Sequence, residues 1–198
     1  MDEIQLQHER AVGDRLIDWL NQRDGSHFVY SRRGKDAPDL VYTDTRILGV
    51  EIVDAYYDAA DAKRQWKGAR KAPDAPKRWS GADPDRRLLG DIEWQIRKKC
   101  RLAYGPNCIL VVSVRPAITS EITMKELLRD LQLPDKIPFI GVYLSGNFPI
   151  AFHVPWGRPG GRNASKLTRP SPGGLRIWQL WPPIPPRGKA KSRRSAAR

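Results

Sequence analysis

Asp39, directly after Pro38, and Glu51, inside the apolar run Gly49-Val50-Glu51-Ile52-Val53, are the residues whose types and spacing point most directly to chemistry. A glutamate in such a run is costly to bury without a partner. An aspartate at the mouth of one strand and a glutamate within the next converge when the register allows it. Two carboxylates at close range repel, and a divalent cation relieves the repulsion. Oxygen ligands of this kind suit Mg²⁺ or Mn²⁺, and such an ion activates water for attack on a phosphodiester. Two further polar residues stand where a plain core wants apolar ones. Glu9 lies three, four and seven residues before Val12, Gly13 and Leu16, so it points with the buried stripe of its helix. Lys99 lies seven residues after Ile92 and three after Ile96, with Gln95 one turn earlier on the same edge and Lys98 facing away. An inward Glu9 and an inward Lys99 fit if both reach the Asp39–Glu51 site. Simpler readings stand beside this one: Glu51 as a structural carboxylate paired with a base, Asp39 as a turn residue, and Lys99 as a snorkelling side chain.

The elements that must position these residues follow from the pattern. Val12, Leu16 and Leu20 predict a helix from Ile4 to Asn21, ended by Asp24-Gly25. His27–Ser31 reads as a short strand. Leu40–Tyr42 and Ile47–Val53, joined by Thr43–Arg46, read as a hairpin rich in β-branched residues. A second helix is expected from Asp83 as N-cap, with Pro84 in its first turn, to Tyr104 before Gly105-Pro106. Cys108–Val114 is apolar throughout and reads as a strand buried on both faces. A helix over Ser120–Leu131 and strands at Phe139–Leu144 and Ala151–Val154 follow, with Leu175–Trp181 as an edge strand. The order predicts an α/β domain: a mixed sheet flanked by helices. Residues 1–155 form its core, 156–181 a basic loop with the edge strand, and 182–198 a Pro-rich basic tail of extended, disordered character.

Composition narrows the function classes. The 198 residues are 40% hydrophobic and 29% charged, enough for one folded core. No apolar run is long enough to span a bilayer, and the polar start Met1–Gln5 does not read as a signal peptide. Cys100 and Cys108 lack metal spacing and read as free thiols of a cytoplasmic protein. The net charge is +13. After Asp135 there are 12 basic residues and no acidic one, which leaves about +1 for everything before. A one-signed stretch of this kind attracts phosphates, so nucleic acid is the expected partner and a membrane is not. Between Ala55 and Asp83, Trp66 is interleaved with Lys63, Arg64, Lys67 and Arg70. These residues, with Arg158 and Arg162, are the candidate nucleic-acid contacts; an ordinary surface lid is the equal alternative for the insertion. His8, His27 and His153 show no zinc spacing, and Asp54 reads as a strand-end cap.

Pro38-Asp39, then Glu51 on the following strand of a hairpin, then a helix and an apolar strand, resembles the PD-(D/E)XK nuclease-like superfamily with its restriction-endonuclease-like core. The resemblance covers the chain from the first helix to about Leu144. It implies a metal-dependent phosphodiesterase that hydrolyses DNA, with RNA left open, using Mg (or Mn). In that family the Asp and Glu bind the metal, a lysine two residues after the Glu assists the attacking water, and a glutamate on the first helix completes the site. Asp39, Glu51 and Glu9 match those places, with the main-chain carbonyl of Ile52 as a further ligand. Val53 stands where the lysine belongs. Lys99 is then the displaced catalytic lysine and Gln95 its neighbour. The resemblance leaves the oligomeric state open, a homodimer included. Two alternatives differ in class: an inactive nucleic-acid-binding protein on the same fold, and a protein-interaction module that docks through Pro182–Pro186 and the basic tail.

Overall fold

The computed structural model describes residues 2–116, 124, 126–147 and 175–180. Helix α1 spans Glu3–Asp24, longer at both ends than the periodicity predicts. Asp2 caps it by accepting the Ile4 amide at 3.1 Å, and Gly25 closes it at φ +63°, a conformation glycine takes without strain. Strands β1 (Val29–Arg33), β2 (Leu40–Thr43) and β3 (Ile47–Ala55) form an antiparallel meander. Helix α2 (Ala59–Ala69) occupies the insertion. Helix α3 (Pro84–Lys99) leads into β4 (Cys108–Val114), which pairs parallel with β3. Strand β5 (Gly141–Asn147) pairs parallel with β4, and β6 (Leu175–Gln179) closes the order antiparallel to β5. Among the described residues the sheet is mixed, with six strands in sequence order.

Each face of the sheet has its own apolar layer, set by alternation along the strands. Val50, Ile52, Ile109 and Val111 pack with Leu16, Ile17 and Leu20 of α1. Val53, Ala55, Leu110 and Val112 pack with Leu88, Ile92 and Ile96 of α3. The seven residues of β4 are all buried, as expected of a central strand covered on both sides. Each fully buried Leu or Ile contributes about 1.5–3 kcal/mol to this sandwich.

Three expectations are corrected. Asp83 does not cap α3: its backbone sits at φ 49°, ψ 57° and its side chain makes no capping bond, whereas capping requires an extended residue. The helix also stops at Lys99 rather than Tyr104. Past Ile96 the apolar phase is lost, and Arg101 and Leu102 bond back to Lys98 and Lys99 in tight turns. Strands β1 and β5 begin two residues later than expected. The Ser120–Leu131 helix lies largely outside the described residues, although Met124 is buried and its carbonyl accepts the Leu128 amide at 2.9 Å. The Ala151–Val154 strand and the Pro-rich tail lie outside them altogether. Among the described residues no helix is long and apolar enough to cross a membrane.

Candidate functional site

The hairpin register sets Asp39 against Glu51. Leu40 pairs with Val50, so the residue before Leu40 comes opposite the residue after Val50. Two glycines let Pro38 reach this position. A Cβ on Gly49 would stand 2.6 Å from the Pro38 ring, and one on Gly34 would stand 1.6 Å from the Pro38 carbonyl oxygen. The Gly34 amide also donates to the Asp39 carbonyl at 2.9 Å, which ties the preceding loop to the aspartate. The obstacle at Gly34 is backbone, so Gly34→Ala must push Pro38 and Asp39 out of place. It is expected to lower stability by about 1–3 kcal/mol in urea unfolding at pH 7, whereas an alanine accommodated without loss would show the loop to be loosely held.

Glu51 is 3% exposed and lies on the α3 face of the sheet. Its Oε1 pairs with the Lys99 ammonium and accepts the Tyr104 hydroxyl at 3.3 Å. Its Oε2 accepts the Asp39 amide at 3.2 Å. Lys99 reaches it from the last turn of α3, one turn beyond the buried Ile92–Ile96 stripe, as the spacing predicts. The Asp39 carboxylate accepts the Ile52 amide through Oδ2 at 2.8 Å, and among the described residues nothing donates to its Oδ1. The Gly49 amide and the Ala55 carbonyl bond towards β4, so the odd-numbered backbone groups of β3 face that neighbour. The amide and carbonyl of Ile52 therefore both face the β2 side, where Asp39 stands.

These groups shape one another's ionisation. Burial pushes the Asp39 carboxyl up to about 6, and the Glu51 charge adds to the rise; the Ile52 amide and Lys99 oppose it, and Glu9 reinforces it. Burial first, then the nearby Glu51 carboxylate, raises the Tyr104 phenol. The same two causes push the Cys108 thiol up to about 12, so Cys108 lines the site as an inert thiol. With Asp39 and Glu51 ionised, Lys99 leaves one negative charge unbalanced.

Glu9 is buried on α1, on the other face of the sheet. It accepts the Gln5 amide at 2.9 Å and lies 3.7 Å from the Arg33 guanidinium, and its charge reaches Asp39 only through space. Among the described residues no three His, Cys, Asp or Glu side chains are grouped closely enough to hold a metal ion. The oxygens that converge are those of Asp39 and Glu51, beside the Ile52 carbonyl. Gln95 stands one turn before Lys99 and lies against Asp91, which also accepts the Tyr56 amide at 2.8 Å and anchors α3 to the end of β3.

Three basic residues of the insertion carry carboxylate partners. Arg64 bonds Asp61, Lys67 pairs with Asp74, and Arg70 pairs with Asp2; Lys63 has no ion pair among the described residues. Trp66 packs edge-on against His8, with Arg115 and Arg70 over its ring. Arg158 and Arg162 lie outside the described residues.

Several residues escaped the sequence reading. Tyr104 is the second side-chain donor to Glu51; its signal is faint, because it follows the helix instead of sharing its periodicity. Trp94 is 54% exposed on the outer face of α3, with Lys98 over its ring at 4.8 Å and Arg97 and Arg101 exposed nearby. A tryptophan on the polar side of an amphipathic helix was the available cue. By spacing alone His8 has no role and Asp54 reads only as a cap. In the structure His8 bonds Asp54 at 2.7 Å and Arg115 at 2.8 Å, and Tyr56 donates to Asp54 at 3.0 Å. No family model, curated protein or solved structure matches the chain, so the reading of this site rests on its own geometry.

Proposed function

We propose that the chain is a metal-dependent phosphodiesterase acting on DNA, on a restriction-endonuclease-like core, with the lysine of the PD-(D/E)XK pattern supplied by α3. The observation that carries the reading is the meeting of Asp39, Glu51 and Lys99 at one point, from a strand mouth, a strand interior and a helix end. The donor set is all oxygen, as Mg²⁺ or Mn²⁺ prefers. Among the described residues one Asp39 carboxylate oxygen has no donor, and burial beside Glu51 makes its ionised form expensive until a cation arrives. Asp39, Glu51 and the Ile52 carbonyl would hold the ion, which when bound supplies an activated water and charge neutralisation at phosphorus. Lys99 and Tyr104 already donate to Glu51; turned towards a phosphate oxygen, the ammonium stabilises the charge that develops there or orients the attacking water. Hydrolysis then joins the water oxygen to phosphorus, breaks one ester P–O bond and sends a proton to the departing oxygen. The exposed Trp94, Arg97 and Lys98 of α3, with Arg101 in the turn after it, form an outer surface suited to a polyanion.

One observation favours a second reading. Lys99 is spent on Glu51 in an ion pair, an arrangement that a decayed site retained for stability would also show. Incubation of plasmid and single-stranded DNA with the protein in Mg²⁺ or Mn²⁺ decides between them, with Glu51→Ala beside the wild type. Cutting by the wild type, lost in Glu51→Ala while salt-sensitive binding persists, is the expected result. DNA binding without cutting in either metal overturns the enzyme and leaves an inactive nucleic-acid-binding protein.

A further inference from the structure

The α1 face of the meander carries a cleft of about 500 Å³, lined by Glu9, Arg10 and Asp14 of α1, Tyr30 and Arg33 of β1, and Leu40 of β2, among others. The volume is within the range of small-molecule sites. Its most unusual feature is Glu9, which is 7% exposed. Oε1 accepts the Gln5 amide at 2.9 Å, but Oε2 is buried and, among the described residues, has no hydrogen-bond donor. The nearest cation, a guanidinium nitrogen of Arg33, stands 3.7 Å away, beyond hydrogen-bond length. An unsatisfied buried carboxylate oxygen is costly, so it calls for a donor arriving from the cleft. One wall is flat: the Arg10 guanidinium lies over the Tyr30 ring at 3.4 Å, held there by Asp14, which itself accepts the Tyr42 hydroxyl at 2.8 Å. Planar ligands stack on such a guanidinium–phenol layer.

We propose that this cleft receives an unstacked guanine base of a single-stranded or locally opened nucleic acid. Guanine presents acceptor, donor, donor along its pairing edge: O6, N1–H and the N2 amine. Glu9 beside Arg33 presents the complement, a carboxylate for the two donors and a guanidinium for O6. Adenine and cytosine would turn a ring-nitrogen acceptor towards the carboxylate, and thymine or uracil would flank one donor with two acceptors. The inference deepens the nuclease reading and rests on it for the polymer, since Glu9 is near enough for its charge to be felt at Asp39. The base would be read from one face of the sheet while its strand runs to the carboxylates of the other.

Calorimetric titration of the full chain with GMP, IMP, AMP and CMP in EDTA at pH 7 tests the cleft without any cutting. GMP is expected to bind at least about tenfold more tightly than AMP or CMP. IMP, which lacks the N2 amine, should fall between. Glu9→Gln should reduce GMP to the level of AMP, and Arg33→Met, a surface-side change, should weaken GMP about tenfold. Equal binding of all four nucleotides, binding of none, or a GMP preference untouched by either variant overturns the proposal. A chain that selects GMP yet never cuts DNA keeps the cleft and loses the nuclease. A chain that cuts DNA with no guanine selection keeps the nuclease and loses the cleft.

Discussion

Asp39→Asn should make the metal-free protein more stable at pH 7.5 and at the same time remove its cleavage activity. The stability effect follows from linkage. The folded carboxyl titrates near 6 instead of 3.8, so between those values the folded state holds a proton that the unfolded chain has released. Stability from this group is complete below about pH 4 and is lost as the pH rises through about 6. The loss is at most about 3 kcal/mol. Asparagine is close in shape, keeps an oxygen for the Ile52 amide and carries no charge against Glu51, so the variant escapes the loss. In urea unfolding from pH 4 to 8, the wild type should fall relative to Asp39→Asn up to about pH 7 and run parallel beyond. Saturating Mg²⁺ should restore the wild type at pH 7.5, by about 2.7 kcal/mol at a hundredfold excess over Kd, and leave the variant unmoved. Cleavage should drop at least about a thousandfold with the lost metal ligand. A residue that destabilises its own fold and is needed for activity is the mark of a working site. Parallel pH curves, or equal Mg²⁺ responses, would show Asp39 to be an ordinary turn residue.

Much of this site was legible because it depends on local period. Glu51 breaks an apolar strand, and Lys99 continues the Ile92–Ile96 helical stripe; both signals survive without tertiary knowledge, and the two side chains meet. Asp39 follows from hairpin register, which the Leu40–Val50 pairing sets. What escaped depends on the third dimension. Glu9 belongs to the buried stripe of its helix, but a stripe does not say which face of the sheet it covers. The structure puts α1 across from α3, so Glu9 opens into a separate cleft. Asp83 has the residue type of a cap, yet its backbone is left-handed and its side chain makes no capping bond. The insertion has the composition of a nucleic-acid surface, but Asp61 and Asp74 within it pair with Arg64 and Lys67, and Asp2, from the cap of α1, pairs with Arg70. Charge counts see the cations and miss their partners. A further basic surface lies beside Trp94 on the outer side of α3, where Arg97, Lys98 and Arg101 are exposed.

Lys99→Met should cost both fold and function, and separating the two losses shows which role the lysine plays. Methionine fills the same volume but leaves Glu51, 3% exposed, with only the Tyr104 hydroxyl and the Asp39 amide among the described residues for its charge. Breaking a buried pair on one side costs about 3–5 kcal/mol. The Lys99 side chain is 19% exposed, so water softens the loss to about 3 kcal/mol. Cleavage should fall about 10²–10³-fold if the ammonium also stabilises developing charge on the phosphate. The double variant Glu51→Gln, Lys99→Met removes the orphaned charge, and its unfolding free energy should return to within about 1 kcal/mol of the wild type. Its cleavage should stay absent, because restored packing does not restore a metal ligand or a cation. Mg²⁺ supplies an independent readout. With the ammonium gone, Asp39 and Glu51 face the metal unneutralised, so Lys99→Met should gain more stability from Mg²⁺ than the wild type does. Recovery of stability in the double variant, with no enhanced Mg²⁺ response in the single one and no cutting by the wild type, would make the Lys99–Glu51 pair a structural brace alone.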